Sequence, residues 1–251
     1  MNKYTIKNIF ERHFSFPVWK IEVDCTRKHL AVEYRHPDTT LAHFEVFDFE
    51  GNEKSISIQA DEKEWTLDSI QGDFLILKRF GSSSPIEAGI QILHYPTGQV
   101  VCDYREYVLV DVYEHLVVAK HRSIPGGLLY HIDIQTGEVH IAPQDQSPKL
   151  PFVNIKYPIA YEGRKPSFIE SIPYVEHIWL LPFEDHFIWA YHLKDKDNYD
   201  LHLQISTREQ SIDHQIILKN LDRLIPQPFF AVQGHIFFLS NCKLKIKGYL
   251  V

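Results

Sequence analysis

Four stretches of the chain end an apolar run in basic residues. They are Arg35-His36, Lys78-Arg79, Lys120-His121-Arg122 and His192-Leu193-Lys194. An arginine fork donates two parallel N–H groups to a carboxylate or phosphate. A set of such forks at equivalent places could hold an anion or an acidic sugar, and Arg35, Arg79, His121 and Arg122 are the candidates. Acidic residues stand between the runs: Asp61, Glu62 and Glu64, then Asp103 and Glu106, then Glu170 and Glu176. Glu64, Glu106 and Glu176 are the candidate carboxylates. A buried one of raised pKa could give or take a proton, and two across a pocket would suit glycoside chemistry. Chain reversals also favour charge simply because they face water, so a solvated rim is the competing reading.

Other chemistry finds less support. The 15 histidines form no HExxH and no close pair with a third ligand at diagnostic spacing, so neither metal nor cofactor is expected. SSSP at Ser82 lacks the GxSxG context, and IPGG at Ile124 lacks the P-loop lysine. His29, His115, His186 and His235 each open a strand after a turn, where an imidazole can bond a turn carbonyl. Trp19 and Trp65 stand about 46 residues apart at matched places and are expected to pack between sheets. The aromatic stretch EHIWLLPFEDHFIWAYHL has no interleaved bases before Lys194, which argues against RNA.

The elements that position these residues recur. Turn-plus-strand phrases read TRKHLAVEY at Thr26, IQGDFLILK at Ile70, VYEHLVVAK at Val112, FEDHFIWAY at Phe183 and VQGHIFFLS at Val232. The strand starts Leu30, Phe74, Leu116, Phe187 and Ile236 lie 44, 42, 71 and 49 residues apart. Each phrase joins a strand A to a strand B. A second marker follows, a strand C and a glycine turn to a strand D: EGN at Gly51, PTGQ at Gly98, QTGE at Gly137. Val46, Leu93 and Ile132, five residues before these glycines, read as one buried face of strand C. In the fourth unit YDLHLQISTREQSIDHQIIL replaces the glycine turn. The fifth has strands near Phe229, Ile236 and Leu244 but no D strand, while YTIKNIFERHF near the start has no unit of its own. The expectation is an all-β propeller of five blades, closed by an N-terminal strand that completes the last blade. A β-sandwich is the rival fold.

The 71-residue gap holds six of the 14 prolines between Pro143 and Pro173. Proline breaks sheet ladders, so 143–173 is expected as an insertion within one domain spanning 1–251. A degenerate sixth blade and a domain linker are its alternatives.

With Gly72, Gly234 and the C–D turns in place, residues 17–251 outside the insertion resemble the β-propeller superfamily. The whole chain is similar to an uncharacterised bacterial family of the Bacteroidetes, of unknown function, which implies no activity and no catalytic residue. The WD signature and the sialidase Asp-box are missing. The superfamily likeness implies a ligand face made by the D-to-A and B-to-C connections, where the charges above would gather.

Composition bounds the rest. The chain has 251 residues, 44% of them hydrophobic, ample for a core, and a formal net charge of -7 that disfavours nucleic acid. No run approaches 18 apolar residues, and charges interrupt the N-terminus, so neither membrane span nor signal peptide is expected. Three scattered cysteines suggest a reducing, cytoplasmic setting. The functional expectation is a noncatalytic binding or scaffold propeller for a protein or small polar ligand. The alternative is an enzyme acting on a sugar or small polar metabolite through carboxylates at the central mouth. Oligomeric state is unreadable.

Overall fold

The computed structural model describes residues 5–80, 88–124, 126–143 and 149–251. The fold is all-β and of the propeller class: five antiparallel sheets, four of them meanders in chain order and the last joined by the N-terminal strand. The chain divides into two compact units, residues 14–153 and residues 1–13 with 154–251.

The N-terminal strand β1 (Lys7–His13) belongs to the second of these units. Three four-stranded sheets make the first. They are β2 (Val18–Asp24), β3 (His29–Arg35), β4 (Ala42–Asp48) and β5 (Ile58–Gln59); β6 (Trp65–Gln71), β7 (Phe74–Arg79), β8 (Ile90–His94) and β9 (Gln99–Tyr104); and β10 (Tyr107–Val112), β11 (Leu116–His121), β12 (Leu129–Asp133) and β13 (Val139–Ile141). Alternation of side chains sends Val46, Leu93 and Ile132 inward, and all three are buried. The C–D turns form as expected. Gly137, at φ +74°, donates its N–H to the Asp133 carbonyl, a backbone conformation that L side chains rarely adopt. Asp133 Oδ1 also accepts from the N–H groups of Gln135 and Thr136, closing the turn.

The second unit contains two five-stranded sheets. The Pro-rich segment supplies one short strand to each: β14 (Ile155–Lys156) pairs with the last sheet and β15 (Ile159–Ala160) with the fourth. It then forms a one-turn helix, α1 (Ser167–Glu170), whose Ile169 packs with Ile178, Trp189 and Tyr191 of the fourth sheet. The region expected as an insertion is thus woven into two sheets rather than standing apart. The fourth sheet continues with β16 (Tyr174–Phe183), β17 (His186–Asp195), β18 (Asn198–Ser206) and β19 (Ser211–Leu221). Where its C–D glycine is lacking, Thr207 Oγ1 accepts from the N–H groups of Glu209 and Gln210. The last sheet has β20 (Phe230–Val232), β21 (His235–Leu239) and β22 (Lys245–Leu250).

Closure occurs as the missing D strand required. Strand β1 pairs antiparallel with β22, from Lys7 opposite Leu250 to His13 opposite Lys245. Gly248 makes room for the Phe10 ring, which a Cβ there would strike. Ile6 is buried with Ile188, Leu203, Ile236 and Phe238 in the core between the two sheets of this unit.

Candidate functional site

In the three-sheet unit the B-to-C and D-to-A connections share one edge, and the charges gathered there bind one another. Arg35 and Glu33, 6% and 0% exposed, lie one side-chain period apart on β3 and form an ion pair at 2.6 Å. Arg35 donates further to the carbonyls of Thr40, Lys63 and Trp65 at 2.7, 2.8 and 2.6 Å. Glu33 accepts from Thr66 Oγ1 and the Leu67 N–H at 2.8 and 2.7 Å. The pair therefore ties the first sheet to the second and uses at least four of the five N–H donors of Arg35.

Arg79 donates to one oxygen of Glu62 and Arg105 to the other, both at 2.6 Å. Arg105 also forks onto Asp103 at 2.8 and 2.9 Å. Both guanidiniums lie over the buried Trp65 indole, 5.7 and 5.0 Å from its ring centre. Hydrogen bonds from Arg105 hold the Glu62 carboxyl below its usual range. The structure thus brings Arg79 together with Arg105 and Glu62, a set that sequence spacing left apart.

The remaining candidates have other surroundings. Glu64 and Glu106 are half-buried, and their carbonyls accept from the N–H groups of Phe80 and Arg122. The His121 ring sits edge-on to Tyr107, its Nδ1 accepting from the Ser123 N–H, and Arg122 is exposed. Glu176, in the other unit, is exposed at φ +59° in a bulge of β16. His192 is no rim cation: it is buried, its Nε2 accepts from the Ile225 N–H, and burial pushes its pKa down to about 4.

Sequence reasoning missed a third ionic set. Lys20 and Glu22 share one face of β2 and pair at 3.0 Å, while Lys20 Nζ also donates to the Leu67 carbonyl at 2.8 Å. Lys78 pairs with Asp68 at 2.8 Å. Burial, only partly offset by Lys20, raises the pKa of Glu22 above the ordinary carboxylate value. The signal available in the sequence is the i, i+2 spacing of Lys20 and Glu22, which puts opposite charges on one strand face.

The matched tryptophans also part company. Trp65 is buried, but Trp19 is 66% exposed. The β2–β3 register slips between Val18 and Lys20, and the bulge turns Trp19 outward. Of the strand-opening histidines, His235 Nδ1 bonds the Gln233 carbonyl as expected, whereas His29 bonds the Tyr95 hydroxyl at 2.9 Å.

A concavity lies on the opposite edge of this unit, where the A–B turns of the three sheets meet. Its volume is about 400 Å³. Asp24 builds the floor: one oxygen accepts from the N–H groups of Thr26 and Arg27, the other from the Gly72 N–H at 3.0 Å, linking two turns. Gly72 sits at φ +58°, and its carbonyl accepts from the Tyr95 hydroxyl at 3.1 Å. Val23, Phe74 and Ile134 give apolar lining, and Arg27 pairs with Asp73 at the wall. The far wall is the stretch after the described end of β13's sheet: Lys149, Pro151 and Phe152 line it, and Lys149 pairs with Glu114 at 2.8 Å. This edge is the reverse of the one that the superfamily likeness favoured.

No family model matches the sequence, and no curated relative does. Solved structures similar to the chain include Raptor from Chaetomium thermophilum, at 9% identity over 97% of this chain and 29% of that one, TM-score 0.41. Another is the β-propeller domain of the Trilobed protease from Pyrococcus furiosus, at 13% identity, covering 88% and 64%, TM-score 0.35. A third is TolB from Acinetobacter baumannii, at 12% identity, covering 92% and 65%, TM-score 0.32. The chain spans between 29% and 65% of the length of these three structures. Nothing of their chemistry is carried over.

Proposed function

We propose that this chain is a noncatalytic binding module of the propeller class, and that its ligand seats in the A–B-turn pocket rather than among the rim charges. One observation carries the reading. The rim arginines Arg35, Arg79 and Arg105 already serve carboxylates of the chain, whereas the opposite edge offers a concavity of about 400 Å³ with apolar lining and a few polar groups. That volume and mixture suit a small polar ligand or a short protein segment. The three scattered cysteines accord with a reducing, cytoplasmic setting, and the likeness to a Bacteroidetes family adds no activity.

The test is a thermal-shift screen of sugars, phosphates, small zwitterions and peptides, repeated on two variants. Gln135→Trp, at an exposed turn lining the pocket, is expected to abolish stabilisation by a hit. Arg79→Ala, on the opposite edge, is expected to leave it intact. The reverse pattern would return the site to the rim.

The enzyme reading, with a sugar or small metabolite as substrate, draws its support from Glu22, a carboxyl whose pKa burial raises in the direction a general acid needs. It predicts that a hit is consumed with time and that Glu22→Gln stops its consumption.

A further inference from the structure

We infer that residues 149–152, Lys-Leu-Pro-Phe, are a self-ligand of the pocket, and that the ligand taken in trans is a peptide presenting a basic residue followed by an apolar, proline-containing segment. This rests on the pocket reading above and names its ligand class.

Three features lead there. The strap is lightly held. Among the described residues its hydrogen bonds to the sheets come from Lys149 alone: the Glu114 N–H donates to the Lys149 carbonyl at 3.1 Å, and Lys149 Nζ reaches Glu114 Oε1 at 2.8 Å. Leu150 and Phe152 are 62% and 55% exposed, so the strap buries little apolar area. An exposed lysine paired with a carboxylate adds at most a small increment.

Charge gives the second. The lining carries three carboxylates, Asp24, Asp73 and Glu114, against two cations, Arg27 and Lys149. Lifting the strap removes one cation, so the balance falls from 2 - 3 = -1 to 1 - 3 = -2. Glu114, its side chain only 24% exposed, then loses the 2.8 Å pair with Lys149 and keeps the His115 ring 4.0 Å away. An incoming cation restores the pair, while an anion meets two excess carboxylates.

Shape gives the third. Pro151 and Phe152 line the same concavity as Phe74 and Ile134, so a proline and an aromatic directly after the cation share an apolar surface there. A proline-bearing peptide also loses less conformational freedom on docking. The strap therefore competes with any such peptide, and weakening it raises the affinity for the competitor.

The probe is a fluorescein-labelled peptide with the sequence of residues 146–154, QSPKLPFVN, followed by fluorescence anisotropy. Against Lys149→Ala/Phe152→Ala it is expected to bind about threefold more tightly than against the native chain, the gain that removal of a lightly held strap allows. Lys149→Glu, a single change at an exposed position, is expected to move affinity in the same direction. Adding Glu114→Gln to either variant is expected to lose the gain, and a scrambled peptide to bind neither. Equal affinity for the native chain and both strap variants would overturn the inference, as would tight binding indifferent to Glu114→Gln. If small-molecule hits blocked by Gln135→Trp survive while the peptide fails, the pocket stands and only the strap reading falls. If both fail, the pocket reading falls with it.

Discussion

The two units glue their sheets together by different physics. Between the first and second sheets a buried Glu33–Arg35 pair runs beside an apolar cluster that includes Phe44, Trp65, Leu67 and Leu75. Between the fourth and fifth sheets lies the apolar cluster of Ile188, Leu203, Ile205, Ile236, Phe238 and Tyr249, with Lys247 Nζ donating to the Ile217 carbonyl at 3.0 Å. A buried charge pair gives up hydration that its attraction barely restores, but it fixes geometry through directed bonds. An apolar joint has no such demand and tolerates small adjustments. In the three-sheet unit a strand-end arginine, Arg35, serves the sheet edge as a fastener.

The contrast is broken most severely at Arg35. Arg35→Ala leaves Glu33 buried without its counter-charge, and a loss of about 3–5 kcal/mol is expected in denaturant unfolding. The double change Glu33→Gln/Arg35→Met is expected to recover more than half of that, because glutamine still accepts from the Leu67 N–H while no net charge remains. A double variant as unstable as the single one would mean that the lost fork contacts, not the orphaned charge, dominate.

That fastener marks the border of what the sequence could say. Repeats of strand and turn were legible because alternation and glycine spacing are local, and the closing strand was legible because one unit lacked a partner that the N-terminus could supply. Arg35 was legible as a strand-end charge but not as a buried one. Its partners Lys63 and Trp65, and the Glu33 partner Thr66, come from the connection to the next sheet and that sheet's first strand, and alternation along β3 gives a face without giving its neighbour. Trp19 failed for a related reason, since one bulged residue reverses the side on which it emerges. Strands β14 and β15, two residues each, are too short for any period. The pocket needs three turns, roughly 45 residues apart, to be in contact, and no local pattern records that.

A second, smaller break concerns the face of the fourth sheet against which α1 packs. Tyr191, His202 and His214 stack across β17, β18 and β19, with His202 Nδ1 and His214 Nε2 2.8 Å apart. In such a bond one imidazole nitrogen must accept, so both rings cannot be protonated while it persists. Burial lowers the pKa of His192, His202 and His214 alike; Asp200 opposes this at His202 and Asp213 at His214. A folded pKa below the unfolded value of about 6.5 means that the unfolded chain binds the proton first. The stabilisation is then complete above pH 6.5 and lost as pH falls toward about 4, the folded value for His192. A loss on the order of 2–3 kcal/mol is expected across that window, and His192→Leu should flatten it. An unchanged slope in the variant would assign the acid response to other groups.

The mildest break lies at the closing strand, where Glu11 of β1 meets Lys245 at 2.5 Å and Lys247 at 3.3 Å on β22. The hydrogen bond from Lys245, with Lys247 and His13 adding to it, holds the Glu11 carboxyl down at about 2. Here the folded pKa lies below the unfolded value near 4.5, so the stabilisation is present above pH 4.5 and vanishes as pH falls through about 2. The carboxylate is 36% exposed, and water and salt screen it, so Glu11→Gln is expected to cost only about 0.5–1 kcal/mol at pH 7. Raising salt to about 0.5 M should remove most of that difference, since the Debye length then falls below the 8 Å of physiological salt. The window is also distinct from that of the histidines: Glu11→Gln should leave the slope between pH 6.5 and 4.5 unchanged. A cost of 3 kcal/mol or more would show that closure depends on charge as the first sheet joint does, and the contrast between the two units would then disappear.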